Sequence, residues 1–92
     1  MSALDLWRRA KAECPPETLV MLRDGDFYLL FGEDAETAAP VLGECLVLRT
    51  GVPMCVVRYR EVEEAIRKLL LAGKKVALGD PILAASLGRK EA

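Results

Sequence analysis

The chain has 92 residues, of which 52% are hydrophobic and 29% are charged, and its formal net charge is −1. This length predicts one small domain with one core, and the composition is typical of an ordered globule rather than a disordered segment. Because 13 basic side chains stand against 14 acidic ones, there is no overall basic excess, and a nucleic-acid contact would need a local patch.

The first predicted elements are a helix and a β-hairpin. The helix begins after Ser2 and ends before Pro15-Pro16, since a residue that precedes proline avoids helical angles. Alternating apolar residues predict a strand over Thr18 to Arg23, and the turn Asp24-Gly25-Asp26 leads into a second strand over Phe27 to Phe31. Three basic side chains are expected on the solvated face of the helix: Arg8, Arg9 and Lys11.

A second helix and a second pair of strands follow. We expect Asp34 to cap this helix, Pro40 to kink or shorten it, and Gly43 to end it. Two strands are predicted over Cys45 to Arg49 and Val52 to Arg58, with a tight turn between them.

The last predicted helix covers Glu61 to Ala72, and the last strand covers Lys75 to Leu78. The helix carries one apolar stripe, which should face the sheet: Val62, Ala65, Ile66, Leu69 and Leu70. Two charge pairs are expected at i,i+4 spacing on its other side: Glu63 with Arg67, and Glu64 with Lys68.

This order of elements predicts an α/β fold in which a mixed sheet of about five strands is flanked by three helices. We expect a single domain over residues 1–92, with an ordered core over about residues 3–80. Residues 81–92 are expected to be a short tail, in which Ile82 to Leu87 forms a helical turn.

The sequence lacks the usual groups of enzymes and cofactor sites. Histidine, the commonest general base, is absent, and the three cysteines are too widely spaced for a zinc motif. Gly73-Lys74 lacks the first glycine and the hydroxyl residue of a phosphate-binding loop. We therefore predict no catalysis and no bound nucleotide, cofactor or metal.

The location is predicted from what the chain does not contain. The first residues are too polar for a signal peptide, and no apolar run approaches the roughly 18–20 residues of a membrane span. Unpaired thiols suit a reducing compartment. We therefore expect a cytoplasmic protein without membrane contact.

Several motifs resemble the N-terminal mismatch-recognition domain of the MutS DNA repair family. The run Asp26-Phe27-Tyr28, followed by Leu30-Phe31, resembles the family's Gly-Asp-Phe-Tyr-Glu-Leu-Phe. The likeness extends over about residues 7–80 and includes further matching segments: Asp34-Ala35, Leu42-Gly43, Leu46 to Arg49, Val52-Pro53-Met54, Tyr59, and Leu69 to Ala77.

The resemblance implies site residues. In the family, the phenylalanine of a Phe-x-Glu motif wedges beside a mispaired base, and the glutamate hydrogen-bonds that base. Phe27 matches the wedge, whereas Leu29 replaces the glutamate and can form no such bond. Arg49 matches an arginine that lies near DNA in the family, and Arg58 and Arg60 are further candidates for phosphate contacts.

Two functional hypotheses follow. The first is a non-catalytic, stand-alone relative of the mismatch domain that binds double-stranded DNA through Phe27 and the three arginines, without the family's base recognition. The second is a protein-interaction or self-association module, because Phe27, Leu29 and Phe31 share one strand face and give an apolar surface for a protein partner or a homodimer. A third interpretation places Phe27 and Leu29 in the core.

Overall fold

A five-stranded mixed sheet lies at the centre of the protein in the computed structural model, in which residues 2–79 are described. The strands are β1 (Thr18–Asp24), β2 (Phe27–Phe31), β3 (Val47–Arg49), β4 (Val52–Arg58) and β5 (Lys75–Gly79). The helices are α1 (Ala3–Ala12), α2 (Gly32–Leu42) and α3 (Val62–Leu71), and a short 3₁₀ helix (Tyr59–Glu61) links β4 to α3. The predicted α/β fold is thus confirmed.

The strand order is β3-β4-β2-β1-β5, in which β5 runs parallel to β1 and the other neighbours are antiparallel. The two faces of the sheet carry separate clusters of buried side chains. Helix α1 covers one face, and α2 and α3 cover the other. The helical turn predicted over Ile82 to Leu87, within the tail 81–92, lies outside the described residues.

Helix α1 begins at a capping box, as the sequence predicts. The Asp5 backbone N–H donates to Ser2 Oγ over 3.2 Å, and the Ser2 backbone N–H donates to the Asp5 carboxylate over 3.2 Å. The Ser2 hydroxyl also donates to the Asp5 carboxylate, over 3.0 Å. The backbone and hydroxyl bonds from Ser2 favour the charged carboxylate and lower the pKa of Asp5 below 3.8.

The predicted roles of Asp34 and Lys11 are corrected by the structure. Phe31 is the N-cap of α2, and Asp34 is a buried residue of its first turn, 5% exposed. Lys11 is not a solvated cation, because its Nζ lies 2.9 Å from the Asp34 carboxylate and also donates to the Thr18 carbonyl. Burial of the carboxylate requires such partners, and the pair ties α1 to α2.

Strands β1 and β2 pair only near their turn. The register runs from Leu22 opposite Leu29 to Asp24 opposite Phe27. Farther from the turn, the Val20 N–H donates to Asp34 over 3.0 Å, and the Val20 carbonyl accepts from Trp7 Nε1 over 2.7 Å. The side chains of Asp34 and Trp7 therefore form the hydrogen bonds with the Val20 backbone that a partner strand would otherwise form. The hairpin is firmly paired only at its tip.

Helix α2 ends at Gly43, as predicted, where φ is +70°, but it is not shortened at Pro40, since it continues to Leu42. Three other expectations were wrong. Strand β3 starts at Val47 rather than at Cys45. Leu70 lies off the apolar stripe of α3 and is 56% exposed. The ion pair on α3 joins Glu64 to Arg67 at i,i+3 spacing, with 2.7 Å between the charged atoms.

Within residues 2–79, no helix is long and apolar enough to cross a membrane. Over the same range, no group of three or more histidine, cysteine, aspartate or glutamate side chains is placed to hold a metal ion.

Candidate functional site

The tip of the β1–β2 hairpin exposes an aromatic ring at the end of an otherwise buried strand. Gly25 and Asp26 form a two-residue loop in which Gly25 has φ +64°, a value that glycine adopts without strain. Phe27 follows as the first residue of β2 and is 43% exposed. The other four residues of β2 are buried.

Leu29 and Phe31 point to the same face of the sheet as Phe27 but lie in the core. They are 4% and 0% exposed, and they pack with Trp7 beneath α1 in a cluster of buried residues that does not include Phe27. The predicted apolar surface of Phe27, Leu29 and Phe31 is therefore not present on this fold. Strand alternation places the three side chains on one face, but the cover provided by α1 ends before Phe27.

Phe27 has a charged neighbour on each side within the sheet. Arg58 lies directly opposite it on β4, and Asp24 lies directly opposite it on β1. The ring also borders an open depression of about 470 Å³. Five residues line this depression, in which the sheet end and the 3₁₀ helix meet: Asp26, Phe27, Arg58, Tyr59 and Arg60. The structure thus brings three of the predicted site residues together, namely Phe27, Arg58 and Arg60.

Arg49, the fourth predicted residue, lies at a different place. It ends β3 opposite Val52, next to a tight turn in which Thr50 and Gly51 have φ values of +49° and +80°. Its side chain borders a second depression of about 330 Å³. The lining of that depression comes from the start of α1, the end of β1 and Arg49: Ser2, Ala3, Leu6, Leu22, Arg23, Asp24 and Arg49.

Both depressions are lined in part by residues of the β1–β2 hairpin. Asp24 lines the depression of Arg49, and Asp26, two residues later, lines the depression of Phe27 and Arg58. Arg58 lies opposite Phe27 at the end of β4, whereas Arg49 pairs with Val52 at the beginning of β4. This arrangement could not be read from the sequence, because it depends on how the sheet and α1 pack.

The charges of the site are mixed. Arg49, Arg58 and Arg60 are exposed, and none forms an ion pair with a carboxylate within residues 2–79. The acidic Asp24 and Asp26 are exposed beside them. Guanidinium groups without a carboxylate partner are available for bidentate bonds to phosphate.

Sequence reasoning missed a group of aromatic and basic residues beside the hairpin. The Tyr59 backbone N–H donates to the Asp26 carbonyl over 2.8 Å. The Tyr59 ring lies parallel to the Tyr28 ring, with 6.0 Å between centroids, and the Arg23 guanidinium lies 4.1 Å from the Tyr59 ring centroid. Tyr28 and Arg23 flank the turn in sequence, but no spacing pattern connects them to Tyr59.

The matching sequence model and the similar proteins all come from one family. The sequence model of MutS domain I matches residues 3–87. The DNA mismatch repair protein MutS of Desulfitobacterium hafniense is 43% identical over 72 residues, which are 73% of this chain and 8% of that protein. The protein of the same name from Solibacter usitatus is 42% identical over 80 residues, which are 82% of this chain and 9% of that protein.

A third relative has a similar identity to this chain and covers a similar share of it. The DNA mismatch repair protein MutS of Leptospira interrogans is 44% identical over 64 residues, which are 68% of this chain and 8% of that protein. The chain therefore spans less than a tenth of the length of the curated relatives that it matches.

Proposed function

The chain belongs to the MutS domain I family, and from this premise we propose that it is a non-catalytic module that binds double-stranded DNA. One observation carries the proposal: the Phe27 ring is 43% exposed at the end of a strand whose other residues are buried. An apolar ring that is exposed opposite Arg58 and beside Arg60 suits insertion between bases together with contact to the adjacent phosphates.

In the proposed complex, the Phe27 ring inserts between adjacent base pairs where their stacking is weak. Proteins that bind the minor groove commonly insert apolar side chains in this way, which partly unstacks and kinks the duplex. Arg58 faces the ring across the strand pair, and Arg60 borders the same depression. These two arginines would bind phosphates on one side of the inserted ring, and Arg49 would bind phosphate at the second depression.

We do not expect the site to distinguish one base from another. Leu29 is 4% exposed beneath α1, and its side chain has no hydrogen-bonding group. A site that contacts bases through one ring responds to how easily a base step opens. We therefore propose that binding favours any unpaired or poorly stacked nucleotide, whichever base it carries.

The expected affinity is modest. Stacking of one base on an aromatic ring contributes roughly 1–3 kcal/mol, whereas bending a duplex costs on the order of 1–6 kcal/mol. Phosphate contacts must therefore supply much of the binding energy, and non-specific binding of this kind has dissociation constants of about 10⁻⁴–10⁻⁶ M. The contacts should weaken steeply as salt increases.

Fluorescence anisotropy at low salt tests the proposal. The 92-residue chain would be titrated into labelled duplexes that differ only at one central position: fully paired, G·T, unpaired T and unpaired A. We expect the two unpaired duplexes to bind alike and more tightly than the paired duplex. Absence of binding to every duplex would exclude the proposed function, and a strong preference for T over A would exclude recognition without base identity.

We propose protein contact as the second candidate function, through a surface other than that of Phe27. The edge strand β3 and the residue before it expose three apolar side chains, with Leu48 at 75%: Leu46, Val47 and Leu48. An exposed apolar edge strand can pair with a strand of another chain. Light scattering of the wild type and of Leu48→Lys tests this, because a constant monomer mass in both would exclude self-association through β3.

A further inference from the structure

We propose that Tyr59 is a positioning residue, which fixes Arg58 and Arg60 beside Phe27. This inference rests on the proposed function of the same site. It concerns the 3₁₀ helix Tyr59–Glu61, in which no residue is buried and no side chain caps the N-terminal end. A short exposed turn needs an anchor if its side chains are to hold one arrangement, since few buried contacts restrain it.

The first anchor is a backbone hydrogen bond. The Tyr59 N–H donates to the Asp26 carbonyl over 2.8 Å, directly beside the position where Phe27 faces Arg58. This bond joins the 3₁₀ helix to the loop of the hairpin. The main chain just before Phe27 is therefore held against Tyr59, which lies between Arg58 at the end of β4 and Arg60 in the 3₁₀ helix.

The second anchor is the Tyr59 ring. It lies parallel to the ring of Tyr28, an interplanar angle of 11°, and the Arg23 guanidinium lies 4.1 Å from its centroid. Tyr28 is buried and stands directly opposite Arg23 in the β1–β2 ladder. Aromatic pairs and cation–π contacts of this kind are each favourable beyond the area that they bury.

The Tyr59 ring packs on the face of the sheet opposite the one to which Phe27 points. Successive side chains of a strand point to opposite faces, so Tyr28 and Phe27 point in opposite directions. Tyr59 packs on Tyr28 and, with its sequence neighbours Arg58 and Arg60, lines the depression of Phe27. Because its ring packs on Tyr28 and Arg23, we infer that Tyr59 acts by holding the two arginines in place.

Two variants of the full chain test the inference: Tyr59→Ala removes the ring, and Tyr59→Phe keeps it. Hydrogen exchange of the free protein should show the Tyr59→Ala variant with about tenfold faster exchange at residues 58–60, the size expected for losing one aromatic pair and one cation–π contact. The Tyr59→Phe variant should exchange like the wild type. Unchanged exchange in Tyr59→Ala would overturn the inference.

DNA binding supplies the second readout. In Tyr59→Ala the slope of log affinity against log salt should become flatter, because the two arginines lose their fixed contacts with phosphate, and Tyr59→Phe should restore the slope. A Phe27→Ala variant should lower affinity with the slope unchanged. An unchanged slope in Tyr59→Ala would contradict the inference while the proposed function stands. Faster exchange in a protein that binds no DNA would show that the proposed function has failed while Tyr59 still orders the turn.

Discussion

Phe27 and Arg58 face each other on adjacent antiparallel strands, at the end of the sheet where β2 begins and β4 ends. Side chains directly opposite each other in such a ladder have Cβ atoms about 4.5–5.5 Å apart. An apolar ring and a guanidinium group are therefore presented together, as insertion between bases and contact with the adjacent phosphate would require. This pairing is the structural basis of the proposed DNA contact.

The arginines should govern the salt dependence of binding. Arg58→Ala and Arg60→Ala are each expected to weaken binding to all duplexes alike, because phosphate contacts carry no sequence information. Each loss should reduce the slope of log affinity against log salt by about 0.9.

Lys74→Ala is the matched control, because Lys74 precedes β5 at the end of the sheet opposite the hairpin tip. Anisotropy titrations at four salt concentrations would measure the slopes. An equal loss of slope in Lys74→Ala would mean that the charge effect is not local to the hairpin.

Leu29→Glu should destabilise the protein. The residue is 4% exposed in the cluster of Trp7 and Phe31, where a carboxylate finds no partner. An unpaired charge buried in this way costs roughly 3–5 kcal/mol, so the urea midpoint should fall sharply. Leu29→Met keeps the volume and should change the free energy of unfolding by less than about 1.5 kcal/mol. An unchanged midpoint for Leu29→Glu would show that Leu29 can leave the core.

The Lys11–Asp34 pair should contribute to stability. Replacing Asp34 with Asn keeps the shape but removes the charge that lies 2.9 Å from Lys11 Nζ. We expect a loss of about 1.5–3 kcal/mol in urea unfolding, the range for hydrogen bonds to charged groups. Glu33→Gln changes an exposed neighbour in the same helical turn and should have an effect within about 0.5 kcal/mol. Equal effects of the two substitutions would contradict this role.

Cys55 and Cys45 should differ in reactivity. Burial, with a smaller effect from Glu44, raises the pKa of the Cys55 thiol from 9.0 to about 11, whereas Cys45 is exposed. A thiol reagent at pH 8 should therefore modify Cys45 quickly and Cys55 only after unfolding, as peptide mass spectrometry would show.

The raised pKa also predicts how stability changes with pH. In the unfolded chain Cys55 ionises near pH 9.0, but in the folded protein it stays protonated to about pH 11. The contribution of this thiol to stability is therefore complete below pH 9.0 and is lost as pH rises toward 11. Cys55→Ala should remove this part of the pH dependence from urea unfolding curves.

Local patterns predicted the elements of the fold well. The Asp24-Gly25 turn between two apolar runs predicted the hairpin, and the proline pair after α1 predicted where that helix ends. Such signals depend on a few neighbouring residues, so they can be read without knowing the packing. The replacement of the family's glutamate by Leu29 could also be recognised in the sequence, but only through the resemblance to the family.

Contacts between distant residues could not be predicted. Lys11 and Asp34 are 23 positions apart, and nothing in either segment indicates that they meet. Phe27 and Leu29 have the same predicted orientation, and only the position of α1 decides that one is exposed and the other buried. The anchoring of Tyr59 likewise depends on tertiary packing.

The most direct test of the DNA-binding proposal compares wild type and Phe27→Ala on an unpaired-T duplex and a fully paired duplex. Because Phe27 is 43% exposed and lies outside the buried cluster beneath α1, its removal should lower the urea midpoint only slightly. Loss of stacking worth roughly 1–3 kcal/mol should weaken binding to the unpaired duplex by about 5- to 150-fold. The preference for that duplex should then disappear. Equal binding of both duplexes by wild type and Phe27→Ala alike would contradict the account.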